Sequence, residues 1–198
     1  GHLVGFSSAL GTRNIALRRA QFAAADDPAR SLEIARSIVC AKIRNQRTVV
    51  RRHRKSDDTA PPKQGTDPAT ILARMQAALA AAEKATSIDS LRGHEGEAAA
   101  TYFGGFPQLL PSEWENDFQG RSRRPPRDRV NALLSFGYAL LVKDATAAAA
   151  RVGLDPMLGY LHTMVPGRPA LAPAAPADLA AVRAGAWSGR GGERPPEG

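Results

Sequence analysis

The residues best placed to do chemistry lie in one stretch, 88–103, reading I-D-S-L-R-G-H-E-G-E-A-A-A-T-Y-F. At about 100° per residue, Ile88, Leu91, Glu95, Ala98, Ala99 and Tyr102 fall on one helical stripe, with His94 and Glu97 off it. Glu95 is thus a lone carboxylate on an apolar face. An ionised carboxylate there costs roughly several kcal/mol unless it is protonated, paired or bound to a metal, so its position asks for a partner: a metal ion, or an arginine in a plain ion pair. Gly93 and Gly96 flank it and weaken the helix by roughly 1 kcal/mol each relative to alanine, a cost that suits close approach of another helix or a ligand.

The elements that must position this stretch read as helices. In 198 residues, long enough for one domain with a real core, alanine dominates, prolines cluster outside the periodic runs, and few stretches alternate apolar with polar. The predicted fold class is all-α. Asn14 can cap a helix running to Ala25, and Asp26, Asp27 and Pro28 mark a break and a new start. Leu32, Ala35, Val39, Ile43, Gln46 and Val50 form the core stripe of the next helix. After a loop over 56–67, Pro68 opens a helix whose seam is Ile71, Leu72, Met75, Ala78, Leu79 and Ala82. Ser87 can cap the Glu95 helix, which Gly104, Gly105 and Pro107 end. Trp114 and Phe118 in the following loop read as anchors onto the core. Past Pro125 and Pro126 a long helix is expected to turn Val130, Leu133, Leu134, Gly137, Leu140 and Leu141 inward. Its second stripe, Asn131, Ser135 and Tyr138, can hydrogen-bond a phosphate, a metal-bound water or a facing helix. Gly153 can end that helix, and a short one over 157–162 would follow, with Leu158 and Leu161 inward and His162 at its end. A histidine so placed reads, from composition alone, as a structural residue.

Charge and cysteine usage narrow the function. The formal charge is +8, much of it clustered arginine, which points to a polyanionic partner. Lys42, Arg44, Arg47, Arg51, Arg52, Arg54 and Lys55 follow one another with no acidic residue among them, more than a solvated helix end requires. A second cluster holds Arg121, Arg123, Arg124, Arg127 and Arg129. The single cysteine, Cys40, excludes an internal disulfide and sits in an apolar run as a small core residue. With no run of about 18 apolar residues and no signal peptide, no membrane partner is expected and the cytoplasm is the expected compartment.

The segment L-R-G-H-E-G-E-A-A-A-T-Y-F, residues 91–103, resembles the signature of the CRISPR adaptation integrase family, the first Cas protein, a metal-dependent DNA endonuclease. K-I-R-N-Q-R (42–47), R-R-P-P-R-D-R-V-N-A-L-L-S-F-G-Y-A-L-L (123–141) and G-L-D-P-M-L-G-Y-L-H (153–162) resemble that family's helical domain, in order. The resemblance implies that Glu95 and His162 are catalytic ligands of Mg2+ or Mn2+, which reverses the structural reading of His162. It implies double-stranded DNA, protospacer and repeat, as substrate, with Lys42, Arg44, Arg47, Arg123, Arg124, Arg127, Asn131, Ser135 and Tyr138 contacting it. It also implies a homodimer that joins the small second Cas adaptation protein.

Two departures accompany the resemblance. The family follows its histidine with an acidic residue that completes the metal site, whereas here Ala174 and Ala177 fall on the acidic positions, Pro173 and Pro176 interrupt the helix, and Asp178 is one residue out of register. The family's N-terminal β domain is also missing except for a remnant or linker over 1–13. The expected organisation is therefore that remnant, a helical endonuclease/integrase domain over 14–172, and a disordered Pro/Ala/Gly-rich tail over 173–198. The rival reading is a catalytically inactive DNA-binding remnant of the same family.

Overall fold

The computed structural model describes residues 15–56, 67–111, 114–122 and 125–161, and every regular element among them is helical. The expectations for 1–13, Asn14, the centre of the 56–67 loop, Arg123, Arg124, His162 and the 173–198 tail lie outside the described residues, as do the side chains of Arg54 and Lys55.

Five helices form where the capping chemistry allows. Helix α1 (Ile15–Asp26) gives way to α2 (Pro28–Ser56) at Asp27, whose Oδ1 accepts the N–H of Ala29 at 2.9 Å and of Arg30 at 3.2 Å. Helix α3 (Pro68–Glu83) starts on Asp67, which accepts the Thr70 N–H. Ser87 caps α4 (Ile88–Gly104) through the Ser90 N–H at 3.2 Å. Two 3-10 turns, Phe106–Leu109 and Glu115–Asp117, lead to α5 (Arg129–Val152), capped by Asp128. Gly153 ends α5 in the left-handed region at φ 93°, where glycine carries no Cβ penalty, and Leu154 N–H returns to Ala149 O at 2.9 Å.

Helices α2, α3 and α4 pack together as the core. Ala35, Val39, Ile43, Met75, Leu91 and Tyr102 are buried there, as their three-and-four spacing requires. Cys40 joins them: burial, with the Glu83 carboxylate adding to it, pushes its thiol pKa up and keeps it a packing residue. Gly105 is pressed against this core, since a Cβ there would stand 2.2 Å from Ile71 Cδ1. Phe106, Leu110 and Phe118 bring the following loop onto the C-terminal end of α4, with Phe106 and Phe118 rings 5.2 Å apart.

The structure corrects four expectations. Among the described residues no neighbouring helix closes on Gly93 or Gly96, because a Cβ at either meets none of them within 4 Å. Helix α5 is rotated from the predicted face: Val130, Asn131 and Leu134 are buried, whereas Leu133 and Phe136 are 55% and 64% exposed and Leu140 opens beside them. The cause is Asn131, whose buried hydrogen bonds to residues 120–122 outweigh the apolar surface left open. By length and composition alone α5 also passes the test for crossing a membrane, contrary to the sequence expectation, although Lys143 and Asp144 pair with each other in its middle at 3.2 Å.

The fourth correction concerns 157–161, which form no helix. Asp155 makes a single turn, its Oδ1 accepting the Met157 N–H at 2.9 Å, and the chain beyond bonds to other elements instead of to itself. So short a segment, holding Gly159, gains too few internal bonds to repay nucleation. Gln21, buried on α1, takes both backbone groups of Asp155: its Oε1 accepts the N–H at 2.7 Å and its Nε2 donates to the carbonyl at 2.9 Å. Leu158 and Leu161 nevertheless turn inward as expected.

Candidate metal centre and basic face

Helix α4 carries Glu95 at the edge of the buried stripe of Leu91, Ala98 and Tyr102. The partner it asks for is supplied by α2: Lys42 Nζ donates to Glu95 Oε1, and the two side chains are 16% and 19% exposed. The cation is therefore a lysine, where sequence reasoning weighed an arginine or a metal. One turn earlier on α4, Arg92 Nε donates to the carbonyl of Leu161 at 2.8 Å and its Nη1 to Asp89 at 3.0 Å. Arg92 thus ties the residue before His162 to the helix that carries Glu95. Ser31 adds a weaker hold, its hydroxyl donating to the Tyr160 carbonyl at 3.5 Å.

Glu95 already holds one positive charge on its oxygen, the Lys42 ammonium. A carboxylate oxygen suits a hard divalent ion such as Mg2+ or Mn2+, while the imidazole of His162 lies outside the described residues. Among the described residues no three His, Cys, Asp or Glu side chains cluster.

The basic face is less uniform than the sequence suggests. Among its cations with described side chains, Lys42 pairs with Glu95 and Arg44 with Glu83, both carboxylates from neighbouring helices. Arg47 is half-buried, and burial, followed by repulsion from Arg51, lowers its guanidinium pKa. Arg51, Arg52 and Arg127 are exposed.

The polar stripe of α5 organises a different residue, Arg121. Its Nη1 donates to Asn131 Oδ1 at 2.9 Å and to Ser122 O at 2.6 Å, and Ser135 Oγ lies 3.4 Å away. The guanidinium stands 5.4 Å from the Tyr138 ring centre and 5.9 Å from that of Phe103, a cation–π arrangement that joins α4, the loop and α5. Asn131 has no exposed surface, and its amide also donates to Gly120 O at 2.8 Å and to Asp128 Oδ2 at 2.6 Å. It reaches any ligand only through Arg121. Sequence reasoning singled out neither Arg92, Gln21 nor the role of Arg121: their partners are backbone groups or distant side chains, which leave no local period.

Comparison with known proteins settles the lineage. The family described as CRISPR associated protein Cas1 matches residues 1–173. The chain belongs to the Cas1 family. It is 44% identical over 157 residues to the CRISPR-associated endonuclease Cas1 of Leptospira interrogans, covering 79% of this chain and 61% of that one. Against a second Cas1 of Rhodospirillum rubrum it is 46% identical over 165 residues, covering 80% of this chain and 46% of the relative. It therefore spans about half to three-fifths of the Cas1 relatives it matches. Among solved structures it superposes on a partial Cas6-RT-Cas1–Cas2 complex with a TM-score of 0.72 at 28% identity, covering 92% of this chain and 52% of that one. A casposase bound to its integration product gives 0.68 at 26%, covering 87% and 46%. The helical architecture is that of Cas1 proteins, the expected fold class.

Proposed function

We propose that this Cas1 chain is the helical part of a divalent-metal-dependent DNA endonuclease/integrase that acts in CRISPR spacer acquisition in the cytoplasm. The observation that carries the reading is the Arg92 bond to the Leu161 carbonyl, which draws the chain leading into His162 toward the helix of Glu95. Glu95 and His162 would hold Mg2+ or Mn2+, and the ion, when bound, would polarise a scissile phosphate and stabilise the attacking or leaving oxygen. The chain's own residues then act by placement. Arg92 and Ser31 orient the segment before His162. Arg44, Arg47, Arg123, Arg124, Arg127 and Ser135 would hold the DNA backbone, with Lys42 at Glu95 itself. Asn131 and Tyr138 would act as positioning residues that fix Arg121. The likeness to a complex containing Cas2 and to a casposase on integration-product DNA supports double-stranded DNA and a Cas2-type protein as partners, and a homodimer is proposed with them.

Incubating the full chain with branched or double-stranded DNA and Mn2+ tests this, beside Glu95→Ala and His162→Ala. Cleavage or strand transfer by the parent alone is expected, and equal cutting by all three overturns the assignment. The second reading, a DNA-binding remnant without catalysis, is favoured by Ala174 and Ala177 standing on the acidic positions of the family's motif. It predicts no cutting but salt-sensitive, sequence-independent DNA retardation that persists in chelator.

A further inference from the structure

The pairing of Lys42 with Glu95 has a property that a plain structural ion pair does not need. Both side chains are about four-fifths buried, yet neither is sealed from solvent, at 16% and 19% exposure. The stripe that Glu95 shares offers it no other charge, because Leu91, Ala98 and Tyr102 are buried and apolar apart from one hydroxyl. Without Lys42 the carboxylate would lie uncompensated at the core's edge.

The residue type matters as much as the contact. Helix α2 is rich in arginine, and Arg44, Arg47 and Arg51 lie within nine residues of Lys42. Opposite Glu95 it presents a lysine instead, a single point charge on a flexible stem that holds one oxygen. A guanidinium fork would grip both oxygens of the carboxylate and resist displacement. We propose that Lys42 is an exchangeable counter-ion that holds the Glu95 carboxylate in the metal-free protein and yields it to a divalent cation. An ammonium and a doubly charged ion on one carboxylate would repel each other, so with a metal bound there Lys42 would be displaced and its charge free for a phosphate beside the site. This inference rests on the metal-binding role proposed for Glu95 above.

The test is a calorimetric titration of the full chain with Mn2+ alone, with thermal unfolding of each metal-free protein alongside. Lys42→Met removes the competitor, so it should bind Mn2+ about tenfold more tightly than the parent and melt lower without metal. Lys42→Arg should bind Mn2+ more weakly than the parent, and Glu95→Gln should lose binding. If Glu95→Gln loses binding but Lys42→Met binds as the parent does, or more weakly, the metal site stands and the exchange is refuted: Lys42 then keeps one oxygen while metal takes the other. If the parent and Glu95→Gln behave alike, the metal reading itself fails and takes the exchange with it. Should Lys42→Met not fold, Lys42→Arg decides, because its fork should weaken Mn2+ binding and unchanged affinity would refute the exchange.

Discussion

Replacing Asn131 by alanine should release residues 120–122 from α5. The side chain makes four hydrogen bonds, with Arg121 Nη1 and Ser122 N–H at 2.9 Å each, Gly120 O at 2.8 Å and Asp128 Oδ2 at 2.6 Å. Two of these partners are charged, and such bonds contribute about 1.5–3 kcal/mol, against about 1 kcal/mol for neutral ones. Gly120 is exposed and Ser122 partly so, which lets their backbone groups turn to water in the variant. Asp128 keeps its bond to the residue 131 N–H, a backbone group the substitution leaves in place. The deficit falls mainly on Arg121 and on the space left by a side chain with no exposed surface, giving a loss of roughly 2–4 kcal/mol. Urea unfolding reads the global part of that loss. Hydrogen exchange at the Ser122 amide reads the local part, and protection there should fall by roughly thirtyfold to a thousandfold. Ser135→Ala, which removes only contacts of 3.4 Å to Arg121, should change protection little. Full protection at Ser122 in Asn131→Ala, with unchanged stability, would refute the view that this amide sets the rotation of α5.

Two further substitutions test the core. Gly105→Ala places a methyl 2.2 Å from Ile71 Cδ1 and should cost about 1–3 kcal/mol by thermal unfolding, with the loss shrinking in an Ile71→Val background. Gln46→Met should raise stability by roughly 1–3 kcal/mol, because Gln46 is 1% exposed and neither polar atom of its carboxamide has a hydrogen-bond partner among the described residues. A lower melting temperature in Gln46→Met would mean that the amide is satisfied by a bound water.

The three core helices were legible because their apolar residues recur at the helical period: Ala35, Val39 and Ile43 on α2, Met75 and Leu79 on α3, Leu91, Ala98 and Tyr102 on α4. Glu95 stood out by interrupting that period. Its partner did not, because which cation of α2 meets it depends on how two helices align, and Lys42 and Arg44 differ by only two positions in sequence. The facing of α5 was illegible for a related reason. Leu133 and Leu140 are as apolar as Val130 and Leu134, so periodicity offered a face about one residue too wide, and Asn131 chose between its edges through bonds to a loop some ten residues away. Residues 157–161 were misread as helix because Asp155 and Pro156 make a plausible start, whereas the backbone groups there are claimed by Gln21, Ser31 and Arg92.

The bond between Gln21 and Asp155 joins residues 134 positions apart. During synthesis α1 is made first, yet the peptide group that satisfies its buried amide leaves the ribosome last among these elements. At roughly 5–20 residues per second the gap is about seven to twenty-seven seconds. Through that interval the first helix must wait with an unmet polar group, so chains stalled or cut short before Asp155 should leave α1 undocked and open to proteases while α2 to α4 are already closed.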